Sequence, residues 1–146
     1  MKIAIGCDHA GLQLKNAVIA HLKDRGFEIT DCGTYDSASC HYPVFAKKVA
    51  DEVVSGNAEK GILVCGTGVG MSMAANKVKG IRAACVSDCF SAEATRAHND
   101  ANIVCFGQRV VGEGLAFKIV DTFLDTPFEG GRHQIRIDMV NELDNK

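Results

Sequence analysis

With 146 residues, 47% of them hydrophobic and 23% charged, the chain holds the material for one soluble domain with a sizeable core. Its formal net charge of −2 gives no bulk electrostatic reason to bind nucleic acid or a membrane surface. No apolar run approaches the roughly 18 residues of a spanning helix. Met1 to Gly6 leads straight into a strand pattern, so neither a membrane anchor nor a signal peptide is expected.

Taken in order, strand and helix patterns alternate along the whole chain, the mark of a parallel sheet covered on both faces. Ile3-Ala4-Ile5 is a first strand. Leu14, Val18 and Leu22 recur at helical spacing, and that helix ends near Gly26. Phe27 to Thr30 is a second strand. A polar loop from Gly33 to Tyr42 leads to Pro43, which is suited to open a helix carrying Phe45, Val49 and Val53 and closing at Ser55-Gly56. Ile62-Leu63-Val64 is a third strand ending at Cys65. The turn Cys65-Gly66-Thr67-Gly68-Val69-Gly70 follows it, and then a helix over Met71 to Lys77. Arg82 to Val86 is a fourth strand, and Ser91 caps a short helix reaching His98. Ile103 to Phe106 is a fifth strand, followed by a helix with Leu115, Ile119 and Phe123. After Pro127 and Gly130-Gly131, a last amphipathic helix spans about Arg132 to Leu143. With no repeat, linker or low-complexity tract, residues 1–146 read as a single domain.

Seven cysteines, an odd number with no Cys-x-x-Cys among them, argue against a disulfide framework. Reduced thiols in a cytoplasmic protein fit better, most of them acting as small buried hydrophobes. Cys85 and Cys89 offer two ligands without a third at zinc-site spacing, so no metal site is expected.

Four predicted strand ends are polar: Cys7-Asp8-His9, Cys65-Gly66-Thr67, Asp88 and Gly107-Gln108-Arg109. In a parallel sheet these ends line one edge, where ligand crevices form. Nucleotide fingerprints do not account for them. The glycine turn reads G-x-G-x-G and follows the third strand. Gly6 to Gly11 has Walker-type spacing, but Leu12-Gln13 stands where lysine and a hydroxyl are required. Cys65 reads instead as an acid–base or nucleophilic residue, since a helix N-terminus is where cysteines become reactive; a further buried thiol is the competing reading. His9 and His98 each stand beside acid or amide residues, in Asp8-His9 and His98-Asn99-Asp100, at predicted loop or helix-end positions. His21 and His41 receive no role, and His133 adjoins the arginines. Arg132 and Arg136, spaced i, i+4, point the same way from the last helix and suit a phosphate monoester. A solvated surface pair is the alternative.

Together, Gly6-Cys7-Asp8-His9-Ala10-Gly11, Cys65 to Gly70, Ala75-Asn76-Lys77, His98-Asn99-Asp100, Phe106-Gly107-x-Arg109 and Glu129-Gly130-Gly131-Arg132-His133 resemble type B ribose-5-phosphate isomerases, the family that includes galactose- and allose-6-phosphate isomerases. The resemblance implies a three-layer α/β/α Rossmann-like fold with a five-stranded parallel sheet and a C-terminal helix. It also implies no cofactor, and a homodimer whose sites draw on both subunits, with further pairing to a tetramer left open. The implied reaction interconverts ribose 5-phosphate and ribulose 5-phosphate through an enediolate. By position, Cys65 would be the base, Thr67 a proton relay, and backbone N–H groups of Gly66, Gly68 and Gly70 the anion hole. His98, assisted by Asp8, would open the furanose ring. Arg132, Arg136, His9 and Arg109 would hold the phosphate, while Tyr42, Asn99 and Ser72 would line the sugar site. One branch of the family carries a glutamate base just after the turn; Met71 stands there in this chain, so the resemblance is to the cysteine-base branch. His41 replaces an acidic residue common before the Tyr-Pro pair, leaving contacts around Tyr42 open. Isomerisation of a hexose 6-phosphate, a non-catalytic sugar-phosphate sensor and a thiol redox protein are the other readings.

Overall fold

Ile62-Leu63-Val64 and Ile103 to Phe106 are apolar at every position, so neither face of these strands can be left to water. The computed structural model, which describes residues 1–145, places them at the centre of a parallel sheet. The elements are β1 (Lys2–Cys7), α1 (Leu12–Asp24), β2 (Glu28–Asp31), α2 (Tyr42–Val54), β3 (Lys60–Cys65), α3 (Val69–Ala75), β4 (Ala83–Cys85), α4 (Cys89–Ala97), β5 (Ile103–Gly107), α5 (Glu113–Asp125) and α6 (Arg132–Glu142). Single 3-10 turns lie at His9–Gly11 and Leu143–Asn145.

The strand order is β2-β1-β3-β5-β4, and every pairing is parallel. One face is covered by α1, α4 and α5, with Leu14, Val18, Leu22, Ala92, Ile119 and Phe123 packed on Ile3, Ile5, Ile62, Val64, Val104 and Phe106. The other is covered by α2 and α3, through Ala46, Val49, Ala50, Met71 and Ala75. This is the expected three-layer α/β/α arrangement. The chain leaves β1 for one face and β3 for the other although the two strands are neighbours. Their C-terminal ends therefore diverge and leave a crevice between them, the usual ligand position in a doubly wound sheet. Asp8-His9 and the glycine turn are the two lips of that crevice.

Strands β2 and β4 shift by one residue at their ends, and three helices differ from the sequence reading in ways that bear on the site. The helix expected over Met71 to Lys77 begins at Val69 and ends at Ala75, so it starts inside the glycine turn with Gly68 as its N-cap. The helix expected to be capped by Ser91 begins at Cys89 and is capped by Asp88, whose carboxylate accepts from the Ser91 N–H at 2.6 Å and the Ser91 hydroxyl at 2.9 Å. A carboxylate reaches the free N–H groups of the first turn and outcompetes a hydroxyl three residues on. The last helix ends at Glu142 and buries only Ile137. Ile135, Met139 and Leu143, spaced i, i+4, i+8, are 65%, 62% and 57% exposed, so its other apolar stripe faces away from the core.

Candidate active site

Cys65 is the last residue of β3 and only 6% exposed. Its sulfur accepts a hydrogen bond from the Gly68 N–H at 3.0 Å. Other thiols do the reverse. Cys7, Cys32 and Cys85 donate to the carbonyls of Thr34, Thr30 and Thr67. A sulfur that accepts can give up its proton without losing its hydrogen bond, whereas one that donates cannot. Burial pushes Cys7 and Cys32 up to about 11 and raises Cys85 and Cys105 as well.

The turn is shaped by two glycines. Gly68 sits at φ +84, and a Cβ there would lie 2.7 Å from the Phe106 backbone, so only glycine lets the chain reverse this close to β5. At Gly107 a Cβ would fall 2.4 Å from the Gly66 carbonyl oxygen, so the end of β5 lies flush against the turn. The Gln108 N–H donates to the Cys65 carbonyl at 2.9 Å and the Arg109 N–H to the Gly66 carbonyl at 3.1 Å. That seats the Arg109 guanidinium beside Gly66, 3.3 Å from where a Cβ would stand. The Thr67 hydroxyl is exposed and accepts from the Val69 N–H at 3.2 Å. The Tyr42 ring lies over Gly70, 2.9 Å from a Cβ at that position. Ser72 is turned inward on its own helix, donating to the Val69 carbonyl at 2.7 Å.

Across the crevice, the Asp8 carboxylate accepts from the Ala10 N–H at 2.9 Å and starts the 3-10 turn that presents His9. The Asp8 N–H donates to the Val64 carbonyl at 3.2 Å, binding this lip to β3. The Leu14 N–H donates to Gln108 Oε1 at 2.9 Å, which joins the first turn of α1 to the loop after β5. The exposed His9 accepts at Nδ1 from the Cys40 N–H at 3.3 Å, leaving Nε2 to carry the proton of the neutral ring.

His98 and Asn99 lie elsewhere. His98 closes α4, and with Asn99, Arg82, His133, Arg136, Ile137 and Val140 it lines a cavity of about 200 Å³. No hydrogen bond or ion pair among the described residues joins this set to the glycine turn. The acid beside His98 within one chain is Glu129, 3.8 Å away, while the Asp8 carboxylate is engaged at Ala10. Arg132 and Arg136 are exposed on α6 and unpaired by any carboxylate among the described residues.

Two features were not picked out from the sequence. Lys15 is fully buried, its ammonium 2.7 Å from Asp31 and 2.6 Å from the Thr34 carbonyl, beneath the loop that leads to Tyr42. Its place on the Leu14–Val18–Leu22 side of α1 was the available signal. The second is the group His98, Glu129 and His133, whose ligand-type atoms lie within 4.8 Å of one another. The two imidazoles stack 4.5 Å apart at 15°. An ion in the plane of one ring would lie outside the plane of the other, so the stacked pair does not form a metal cradle.

The fold and the turn define a doubly wound α/β protein with a thiol-bearing crevice at its topological switch point. The chain belongs to the ribose/galactose isomerase family: the family described as Ribose/Galactose Isomerase matches residues 3–140. It is 50% identical to the ribose-5-phosphate isomerase B of Escherichia coli over 145 residues, covering 99% of this chain and 97% of that protein. Among solved structures it superposes on the ribose-5-phosphate isomerase B of Clostridium thermocellum with a TM-score of 0.98 at 50% identity, covering 99% and 98% of the two chains. The Mycoplasma genitalium ribose-5-phosphate isomerase B with bound ribulose 5-phosphate gives a TM-score of 0.94 at 46% identity, covering 99% and 97%.

Proposed function

We propose that the protein is an aldose–ketose isomerase that interconverts ribose 5-phosphate and ribulose 5-phosphate, with Cys65 as the base. The observation that carries the base assignment is the Cys65 sulfur, which accepts an N–H where other thiols of the chain donate to carbonyls. The relatives' names and the full-length identity support the substrate.

Isomerisation requires removal of a proton from the carbon next to a carbonyl and support for the negative oxygen that results. Cys65 takes the proton from C2 and returns it to C1. Backbone N–H groups of Gly66 and Gly70 face the developing enediolate, whereas the Gly68 N–H, expected to join them, is held by the Cys65 sulfur, and the Thr67 hydroxyl passes a proton between the enediolate's two oxygens. The furanose form of ribose 5-phosphate is first opened by His98 with Asp8. Arg132, Arg136, His9 and Arg109 take the phosphate, remote from the reacting carbons, and so fix the distance at which C1 and C2 meet the thiol. Tyr42, Asn99 and Ser72 line the sugar. No step calls for a metal or an organic cofactor.

These roles require a homodimer. His98 and Asn99 lie in a cavity that contains no turn residue, and the apolar stripe Ile135, Met139 and Leu143 lies uncovered on α6 beside Arg132 and Arg136. A second copy packed on that stripe would set the α4–α6 set of one subunit over the glycine turn of the other. A setting among cytoplasmic sugar phosphates fits the unpaired thiols of a reduced compartment. The direct test is Cys65→Ala. It is expected to abolish isomerisation of ribose 5-phosphate with the circular dichroism spectrum unchanged, and near-normal turnover would remove Cys65 from its role. Comparing kcat/KM for ribose 5-phosphate, allose 6-phosphate and galactose 6-phosphate tests the substrate, with ribose 5-phosphate expected to be highest.

A further inference from the structure

We infer that Arg82 is a positioning residue for this reaction: it ties the turn that presents His98 and Asn99 to the helix that presents Arg132 and Arg136. The inference rests on the roles just given to those four residues. Arg82 precedes β4 and is not part of any catalytic constellation legible in the sequence. Its guanidinium nevertheless makes four contacts in two directions. Toward the turn, Nε donates to the Asn99 carbonyl at 3.1 Å, and one terminal nitrogen donates to the Asp100 carbonyl at 2.9 Å and to Asp100 Oδ2 at 3.4 Å. Toward α6, the other terminal nitrogen donates to Asn141 Oδ1 at 3.1 Å. The side chain is only 20% exposed, so these bonds are largely shielded from water.

The turn needs such a restraint. Asp100 is the one non-glycine residue among those described with a positive φ, at +45, a conformation that must be held by its surroundings. Two guanidinium groups hold it. Arg96, 7% exposed in the core, donates to Asp100 Oδ1 at 2.7 Å and to the Ala101 carbonyl at 2.7 Å, and Arg82 takes the other oxygen and the carbonyls. Arg96 anchors the turn to the body of the protein. Arg82 relates the turn to α6 by hydrogen bonds, beside the stack of His98 on His133, and it lines the same cavity as His98, Asn99 and Arg136. The planar fork explains why arginine stands here, since a lysine ammonium cannot span two carbonyls, a carboxylate and an amide oxygen in fixed directions. The consequence is geometric. Arg82 sets the separation between the ring-opening imidazole and the phosphate-binding guanidinium groups, and thereby the length of substrate that reaches both.

The test uses the full-length protein with Arg82→Lys, Arg82→Gln and Asn141→Ala. Fold is followed by circular dichroism, and the state of the glycine turn by the rate at which iodoacetamide labels Cys65, read on its own peptide by mass spectrometry. Both Arg82 variants are expected to keep the fold and the labelling rate while kcat/KM for ribose 5-phosphate falls about tenfold to a hundredfold, the usual result of displacing a reacting group by an ångström or so. Asn141→Ala cuts only the hydrogen bond from Arg82 to α6 and leaves the turn held. It is expected to raise KM several-fold with kcat kept, a split that general loss of stability would not produce. Values of kcat/KM within threefold of the parent protein in a folded Arg82 variant would overturn the inference. If the Arg82 variants do not fold, an unchanged KM in Asn141→Ala overturns it. Turnover by the unsubstituted protein in the same assay separates the two levels of the argument, because an inactive parent refutes the function itself and the inference with it.

Discussion

At the scale of single residues, the cysteines divide by the direction of their hydrogen bonds. Cys7 lies wholly inside the sheet and donates to the Thr34 carbonyl, and burial outweighs the nearby Lys15 ammonium to raise its thiol from 9.0 to about 11. Burial likewise carries Cys32 from 9.0 to about 11. These shifts predict an alkaline limit to stability. Between those two values the native thiols keep their protons while the unfolded chain has lost them. The native state then binds more protons, and stability must fall as pH rises, by about 1.4 kcal/mol per pH unit for each such thiol. Below pH 9 both states are protonated and the contribution is fully present. Urea midpoints between pH 8 and pH 11 measure the slope, and Cys7→Ala should flatten it. An equally steep decline in that variant would mean that Cys7 ionisation is not its cause.

At the scale of elements, Lys15 shows what chain periodicity conceals. A lysine on an apolar stripe reads as a flaw in the pattern until its partners are known. Those partners, Asp31 and the Thr34 carbonyl, lie 16 and 19 residues further along on β2 and the loop after it. The ammonium also lies 5.2 Å from the centre of the Tyr35 ring. Lys15 therefore clamps α1 to the start of the loop that delivers Cys40 to His9 and Tyr42 to Gly70. Lys15→Met is expected to cost on the order of 2–3 kcal/mol, less than a wholly buried pair, because the Asp31 side chain is 33% exposed and retains the Gly33 N–H. Urea denaturation at pH 7 measures it, and a loss under about 0.5 kcal/mol would place the lysine among neutral surface charges. The same limit runs through the rest of the fold. The strands β1, β3 and β5 were legible from the apolar runs inside them, Ile3-Ala4-Ile5, Ile62-Leu63-Val64 and Ile103 to Phe106, and the glycine turn because its residue types have few other uses. The strand order was not, since it depends on which face each crossover helix covers. Nor was the cap of α4: Asp88 and Ser91 are both good caps, and only the geometry of the first turn chooses between them.

At the scale of the whole molecule, the candidate residues fall into two groups, those of the glycine turn and those of the cavity lined by His98, Asn99 and Arg136, which no hydrogen bond or ion pair among the described residues joins. The motif residues were readable individually because their chemistry is local, a thiol before glycines or two arginines one helical turn apart. Their assembly could be expected only through the family resemblance, since residue spacing carries no information on contacts between two copies. The arrangement on α6 makes this a quantitative matter. Its buried side is reduced to Ile137, its apolar stripe is uncovered, and Arg132 and Arg136 have no carboxylate partner among the described residues. If a two-fold dimer builds each site from the turn of one subunit and the His98 region of the other, two inactive variants must complement each other. Cys65→Ala supplies a sound His98, and His98→Ala supplies a sound Cys65. In a mixed dimer one site combines both defects and the other combines both sound residues. Subunits exchanged at random from equal amounts should therefore recover roughly a quarter of the parent activity, since half the dimers are mixed and each has one working site. Co-expression of the two variants with different affinity tags, followed by tandem purification, isolates the mixed species, whose activity should approach half that of the parent. Activity no greater than the sum of the two single variants would place Cys65 and His98 within one subunit's site, or leave His98 outside the reaction altogether. The homodimers of each variant, inactive by themselves, are the baseline against which that recovery is read.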